Sequence, residues 1–339
     1  MGRRWLKRLI LLMLFALLAI TGVVLSVTQG AASLTASAAL QFLLVPDSST
    51  MSQIIWNIRL PRAVTGAMVG MNLALSGAIL QAVMRNPLAD PHIIGISSGA
   101  GLTGIAILIL FPAYTYLMPA AAFTGAMAAA VMIYILAWKN GIKPVRVILA
   151  GVAVSAFLGA AISSLLIFYS DRVHGALLWM VGGLAARSWN DVTLIVPYTL
   201  TGLALSLFGA SYLNLLQLGD DMARGLGLSV ERARLGLTAI AALLAASAVS
   251  VAGLLGFVGL IVPHMVRLLG GTDYRYIIPG SALLGTMRVT SFQLLLGMAV
   301  VTWCDTVARI ILAPVELPVG IIMALLGAPF FLYLLRRDV

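Results

Sequence analysis

The chain has 339 residues, of which 61% are hydrophobic and only 9% are charged. Soluble proteins are about 45–50% apolar and about 25% charged, so this composition excludes a soluble protein. The mean hydropathy of +1.07 indicates a protein that crosses a membrane many times. Three histidines, one cysteine (Cys304) and 11 acidic residues leave little material for catalysis or a metal centre. We therefore predict no catalytic residues, no metal site and no cofactor.

The formal net charge of +10 does not indicate a nucleic-acid partner. Nucleic-acid-binding proteins concentrate lysine and arginine on one face or in one segment. Here the basic residues stand in short clusters between long apolar runs, as membrane topology requires. The expected surroundings are a lipid bilayer.

Ten stretches have the composition of membrane-spanning helices, each of which needs about 20 mostly apolar residues. We predict an all-α polytopic membrane protein with about ten transmembrane helices in a single transmembrane domain, residues 1–339. The first span is longer than the apolar core of a signal peptide and is interpreted as an uncleaved helix. The predicted spans cover residues 9–27, 63–83, 93–111, 120–138, 146–171, 191–213, 235–254, a shorter segment ending near 269, a segment between 276 and 312, and 318–335.

The basic residues are distributed unequally between the two sides of this topology. Cytoplasmic loops carry the excess of lysine and arginine, so both termini are predicted in the cytoplasm of a multi-pass cell-membrane protein, at the inner membrane if the cell has two. Arg288 is not assigned to a side. The inner segments hold Arg3, Arg4, Lys7, Arg8, Arg85, Lys139, Lys143, Arg146, Arg224, Arg232, Arg234, Arg267, Arg275, Arg336 and Arg337; the outer segments hold Arg59, Arg62, Arg172, Arg187 and Arg309.

The spans lack the features of a transporter that supplies its own energy. No acidic or basic residue stands in the middle of a span, apart from the ambiguous Arg288, which argues against a proton pathway. His264 is interpreted as a hydrogen-bonded structural residue. The chain also has no GxxxxGK[ST] phosphate loop, so any work driven by ATP requires a partner.

Several motifs in one order resemble the permease subunits of ABC importers for vitamin B12, haem and iron-siderophore complexes. Each motif is weak alone, but the ordered set runs from about residue 50 to the end of the chain. The motifs are Ile58–Arg62, Ser76-Gly77 with Gln81, Arg85–Pro91, Gly95, Ser98–Ala100, Leu149–Gly151, Trp179, Gly182-Gly183, Leu218–Asp220, Ala223, Leu226-Gly227, Gly256–Leu260, Pro263-His264, Arg267, Thr272-Asp273, Pro279, Asp305, Ala308-Arg309, Glu316–Gly320 and Gly327–Phe330.

This resemblance implies a non-catalytic membrane subunit with a set of partners. They are a second permease copy, either identical or a paralogue, two ATP-binding cassette ATPase subunits, and a soluble substrate-binding protein. The substrate implied is a bulky metal chelate of the iron-siderophore, haem or cobalamin class. The alternative is a secondary transporter or channel that works without an ATPase.

The longest hydrophilic connection, at about 217–234, resembles the ATPase-coupling segment of the family. The residues that match are Leu218, Gly219, Asp220, Ala223, Leu226 and Gly227. Glycines in this segment permit sharp turns between short helices. Without the resemblance, an ordinary solvated loop would be the simpler interpretation.

Arginines at the outer ends of spans match the family's binding-protein docking positions: Arg59, Arg62 and Arg309. A guanidinium suits this role because it binds a carboxylate through two hydrogen bonds. The alternatives are that Arg59 and Arg62 anchor a helix among lipid headgroups and that Arg309 pairs with Asp305 one turn earlier.

Two further segments complete the predicted sites. Asn86, Pro87 and Leu88 resemble the cytoplasmic gate, and a plain helix-ending loop is the alternative. The fifth span resembles the helix that lines the translocation path, through Ser155, Gly159 and Ser163.

The chain departs from the family pattern before the last helices. The interval between Ser281–Gly285 and Asp305 is about eleven residues longer than in the family, and Tyr274 stands where histidine is common. We expect residues near 277–288 to stay at the inner interface and residues 289–310 to make the crossing.

Overall fold

The computed structural model describes residues 2–30, 34–92, 94–139, 141–270 and 282–337. The described part is built from helices and their connections, with one isolated β-bridge between Trp138 and Ile142. The α-helices are α1 Gly2–Thr28, α2 Ala36–Leu44, α3 Thr50–Ile54, α4 Leu60–Met84, α5 Ile96–Leu110, α6 Met118–Ala137, α7 Pro144–Phe168, α8 Val173–Val181, α9 Trp189–Gln217, α10 Asp220–Gly225, α11 Val230–Ala252, α12 Val258–Gly270, α13 Ala282–Ile310 and α14 Val319–Arg337.

The predicted all-α membrane fold is confirmed. Within the described ranges, seven helical segments are long and apolar enough to cross a bilayer: the segments in α1, α6, α7, α9, α11 and α13, and the continuous helix Thr50–Met84 that contains α4. Three shorter apolar segments lie in α5, α12 and α14. These ten helices correspond one by one to the ten predicted spans.

The ninth span has a single uninterrupted helical backbone. α13 has 29 residues, which at about 1.5 Å per residue is about 44 Å, longer than the bilayer core of about 30 Å. The apolar span covers Phe292–Ile310, close to the predicted crossing of residues 289–310. The side chains of Ser281–Gly285 and Arg288, and residues 272–279 with Tyr274, lie outside the described residues.

α4 is the central helix of the bundle and packs against α13, α11, α9 and α12. Its closest contacts are made through glycine. A Cβ atom on Gly70 would clash with the carbonyl oxygen of Gly297 in α13, and one on Gly77 with the carbonyl oxygen of Gly259 in α12. Small residues allow helix backbones to approach where apolar burial alone does not drive association. These glycines therefore serve packing inside the chain.

Polar side chains also join α4 to its neighbours. The Asn72 amide donates hydrogen bonds to Thr199 of α9 and Ser247 of α11, at 2.9 and 3.0 Å. Ser76 donates to the carbonyl oxygen of Ala241 at 2.7 Å, and Gln81 donates to that of Gly259 at 3.0 Å. All these groups are buried, and polar groups in a membrane need partners within the protein.

The structure contains helices that the sequence analysis did not predict. α2 and α3 lie between the first two spans, and α3 continues through the π-helical turn Ile55–Arg59 into α4. α8 lies between the fifth and sixth spans and packs against α5 and α14. With nine residues it is about 14 Å long, too short to cross the bilayer.

The connections that follow α8 and α11 bind the ends of neighbouring helices through backbone hydrogen bonds. The amide of Gly183 donates to the carbonyl of Ala252 at 2.8 Å, and the amide of Gly320 donates to that of Gly182 at 3.1 Å. The amide of Leu254 donates to the carbonyl of Trp179 at 3.3 Å. Irregular backbone is tolerated within a membrane protein where the protein itself satisfies these groups.

Candidate functional site

The predicted coupling segment contains one short helix, α10, and three apolar side chains are exposed on it and beside its two ends. α10 has acidic residues, Asp220 and Asp221, in its first turn and Arg224 in its last, as the helix dipole favours. Leu218, Met222 and Leu226 stand four residues apart and are 51%, 59% and 58% exposed. Exposed apolar groups in a polar connection indicate a surface that binds a partner.

Buried residues hold this connection against the bundle. Ala223 is fully buried, and Leu228 and Val230 are buried in the same hydrophobic cluster. The turn before α10 requires glycine, because Gly219 has φ +103° and ψ 155°, a region that residues with a side chain rarely adopt. Gly227 likewise has a positive φ of +86°. The positive φ values therefore explain why glycine stands at both predicted positions.

Arg234 is the largest fully buried side chain in the described structure and joins two connections. Its Nη2 donates to Oδ1 of Asp220 at 2.9 Å, and its Nη1 donates to the carbonyl oxygen of Ile142 at 2.7 Å. Asp220 begins α10, and Ile142 lies between α6 and α7. Sequence reasoning did not select Arg234, because its burial depends on contacts far apart along the chain.

The predicted gate lies next to the coupling segment. Arg85, the residue before Asn86, ends α4 with a left-handed φ of 47°, and its Nη1 lies 3.9 Å from Oδ1 of Asp220. A Cβ on Gly219 would lie 3.3 Å from the same Nη1. Within the gate, Oδ1 of Asn86 accepts a hydrogen bond from the amide of Leu88 at 2.9 Å. Pro87 is exposed, whereas Asn86 and Leu88 are half-buried.

The three predicted path residues of α7 do not share one environment. Ser155 is half-buried near Gly95 at the start of α5. Gly159 is also half-buried, and no other atom lies within 4 Å of the position that a Cβ would occupy there. Ser163 is exposed. The stripe therefore follows the boundary between the buried and exposed faces of α7.

A concave surface lies beside the end of α8. The sequence analysis did not identify it. The cavity has a volume of about 510 Å³ and is lined by the α4–α5 connection, the end of α8, the α11–α12 break and the first turns of α14. Its polar lining residues are the buried Asp90 and the exposed His92, with Phe257 and Ile321 on other walls. The Gly256–Leu260 motif was the available signal for this surface.

Two of the outer arginines bind the end of α1. Arg59 donates to the carbonyl oxygens of Val27 and Thr28, both at 2.9 Å. Arg309 donates to those of Ser26 at 3.0 Å and Gln29 at 3.2 Å. The last carbonyls of a helix lack partners within it and carry a partial negative charge, which arginine satisfies.

Arg62 forms the centre of an ion-pair cluster at the same end of the bundle. It binds both carboxylate oxygens of the buried Asp305 and donates to Glu316 at 2.7 Å. Arg309 also pairs with Asp305 at 3.4 Å, as the i,i+4 alternative anticipated. The three arginines predicted for docking thus lie together, but all are buried, and Glu316 is the exposed member of the cluster at 47%.

The described residues contain no group of three or more His, Cys, Asp and Glu side chains that could hold a metal ion.

Comparisons with known proteins place the chain in a family. The profile of the FecCD transport family matches residues 17–337. The chain is 38% identical to the Fe(3+)-citrate import system permease protein YfmD of Bacillus subtilis (strain 168), over 99% of this chain and 97% of that relative. It is 44% identical to the cobalamin import system permease protein BtuC of Halobacterium salinarum, over 86% of this chain and 75% of that protein.

A solved structure of a metal-chelate type ABC transporter in an inward-facing conformation is similar along nearly the whole chain. The TM-score is 0.80 at 29% identity, covering 96% of this chain and 98% of that one. With family profile, relatives and solved structure in agreement, the chain belongs to the FecCD transport family, the membrane permeases of ABC importers.

Proposed function

We propose that this chain is the permease subunit of an ATP-driven importer for a bulky metal chelate. The observation that carries the proposal is the family match over residues 17–337. Its relatives are named for import of Fe(3+)-citrate, iron(3+)-hydroxamate, hemin and cobalamin, which are all large metal complexes. The chain itself is proposed to hydrolyse nothing and to open alternately to the two sides of the membrane.

The proposed assembly contains two permease copies, two ATP-binding cassette ATPase subunits and a soluble binding protein that delivers the chelate. The apolar surface of Leu218, Met222 and Leu226 supports docking of an ATPase at α10. Movement of α10 would reach the gate residues Asn86–Leu88 through the contact of Asp220 with Arg85. Gly219, Asp220, Ala223 and Gly227 give α10 its position.

We propose that the binding protein docks at the outer cluster formed by Arg59, Arg62 and Arg309. Arg62 reaches the surface through its ion pair with Glu316, so a carboxylate of the binding protein would compete with Glu316 for the guanidinium. Arg59 and Arg309 contribute by holding the end of α1 beneath this surface. The geometry supports a shared role of the three residues, with Arg62 nearest to the partner.

We propose that the chelate passes between two permease copies. The cavity beside α8 and the stripe of Ser155, Gly159 and Ser163, along the edge of the exposed face of α7, are the candidate walls of this path. The cavity is lined mainly by apolar groups, and the stripe adds two hydroxyl groups and no charge. Such walls suit a large ligand that must pass without tight binding.

Affinity purification of the tagged chain from its native membrane tests the proposed assembly. The expected result is recovery of an ATPase with a phosphate-loop motif, and binding of the cognate soluble receptor to the purified complex. Assays of that receptor with iron-siderophore, haem and cobalamin would identify the substrate. Recovery of the chain alone, with solute uptake driven by a proton or sodium gradient, would establish the secondary transporter instead.

A further inference from the structure

An apolar groove lies between α6 and α11, two of the helices long and apolar enough to cross a bilayer. Its volume is about 440 Å³. α6 contributes a stripe that runs from Met127 to Trp138, and α11 contributes a facing stripe from Leu235 to Ala242. Nearly all the lining groups are aliphatic or aromatic, so the groove suits a hydrocarbon chain rather than a polar ligand.

The length of the groove matches one leaflet of a bilayer. Met127 and Trp138 are eleven positions apart, which in an α-helix is about 16 Å. The hydrocarbon core is about 30 Å thick, so each leaflet contributes about 15 Å. Trp138 is 54% exposed at the cytoplasmic end of α6, where tryptophan side chains occupy the headgroup level of membranes. The groove therefore extends from the inner interface to about the middle of the membrane.

Two cations lie close in sequence to the lining residues at the cytoplasmic end of the groove. Arg232 precedes Leu235 by three residues and so lies one turn below it on the same face of α11. Lys139 follows Trp138 directly. Both side chains are exposed, and neither makes an ion pair with any described residue. The acid next to Arg232, Glu231, is already bound by Arg224 at 2.8 Å.

We propose that this groove is a binding site for an anionic phospholipid of the inner leaflet. One acyl chain lies between α6 and α11, and the phosphate binds Arg232 and Lys139. The inference needs only the membrane topology and does not rest on the proposed transport function. It has a consequence for coupling, because Tyr134 lines the groove and its hydroxyl donates to the carbonyl oxygen of Arg234 at 3.5 Å. A bound lipid would thus contact Tyr134, which is hydrogen-bonded to Arg234, the residue that holds α10.

Titration of the purified, delipidated full chain with phosphatidylglycerol or phosphatidylcholine, followed by native mass spectrometry, tests the charge requirement. A basic residue near an anionic surface contributes about fivefold in affinity, so the double variant Lys139→Gln, Arg232→Gln should bind phosphatidylglycerol about 30-fold more weakly. Arg336→Gln, an exposed inner arginine on α14, is the matched control and should bind normally. Equal binding of the two lipids by the unaltered chain, or normal binding by the double variant, would overturn the proposal.

Filling the groove tests the position of the acyl chain. Ala239→Phe places a ring between the two stripes and should reduce phosphatidylglycerol binding at least tenfold, about the effect of losing a well-packed hydrocarbon contact. Ala204→Phe, at an exposed position of α9, is the matched control and should have no effect. If Ala239→Phe leaves lipid binding intact, or instead separates the chain from a protein partner, the groove is not a lipid site.

Discussion

Gly219 is a predicted coupling residue whose backbone conformation requires glycine. Its φ of +103° with ψ of 155° belongs to a region used almost only by glycine, and it turns the chain from α9 into α10. The same position faces Arg85, so a side chain there would also disturb the contact between the coupling segment and the gate.

Gly219→Ala should therefore reduce uptake per ATP hydrolysed while the ATPase still binds. The strain is about 1–3 kcal/mol, enough to reorient α10 rather than to unfold the bundle. Gly225→Ala is the matched control, because Gly225 lies in helical backbone with no atom near an added Cβ and should couple normally. Uptake and ATPase rates measured in the same vesicles would give the uptake per ATP hydrolysed. Equal values for Gly219→Ala and Gly225→Ala would contradict the role of Gly219.

Glu316 is the residue that distinguishes the possible roles of the outer arginines. It is half-exposed and occupies the guanidinium of Arg62, while Asp305 holds the same arginine from inside the bundle. If an acidic group of the binding protein uses Arg62, Glu316 is its competitor.

Glu316→Gln should then strengthen docking of the binding protein, because the competing charge is removed. Partly exposed ion pairs contribute about 0.2–1 kcal/mol, so the affinity should rise by at most about fivefold. Surface plasmon resonance with the immobilised complex measures this affinity, and Asp221→Asn on the opposite side is a control. A fall in affinity would mean that Glu316 itself contacts a basic group of the partner.

At the scale of elements, Arg234 links the start of α11 to α10 and to the α6–α7 connection. Its burial means that it acts on the positions of these segments and not on a partner directly. Arg234→Met removes both links. Arg234→Lys retains the positive charge but lacks the planar guanidinium that donates to two acceptors at once.

We expect Arg234→Met to lower the ratio of uptake to ATP hydrolysis about fivefold or more, which is the size of a typical energetic coupling between two sites. Arg234→Lys should restore part of this loss. Asp220→Asn combined with Arg234→Met should lower the ratio by less than the product of the two single effects, because the two residues share one contact. Arg336→Met, at an exposed position of α14, is the control. Independent, multiplying effects of the two substitutions would contradict a shared link.

Helix contacts through glycine provide a second prediction at this scale. Gly70→Ala should lower the thermal stability of the purified chain, since its Cβ would meet backbone of α13 that cannot rotate away. Overpacking of this kind costs about 1–3 kcal/mol. Gly236→Ala in α11 has open space and should leave the unfolding temperature unchanged, so a similar loss in both variants would contradict the proposed contact.

At the scale of the whole molecule, the ten spans were predictable because apolar length and the positions of charges follow directly from bilayer thickness. α8 was not predictable in the same way, because it is too short for the length criterion and is defined by its contacts with α5 and α14. The gate and coupling residues were selected separately, and only the fold brings Arg85 next to Asp220. The outer arginines were selected by position, whereas the binding of Arg309 to the end of α1 depends on a contact between residues about 280 positions apart.

The central claim is that the chain is a passive conduit that receives its energy at α10 from an ATPase. Reconstitution into vesicles, with chelate uptake measured with and without the ATPase subunits and ATP, tests this claim most directly. The account predicts uptake only when the ATPase, ATP and the binding protein are all present, and its abolition by vanadate. Accumulation of the chelate by the permease chain alone, under an ion gradient, would contradict it.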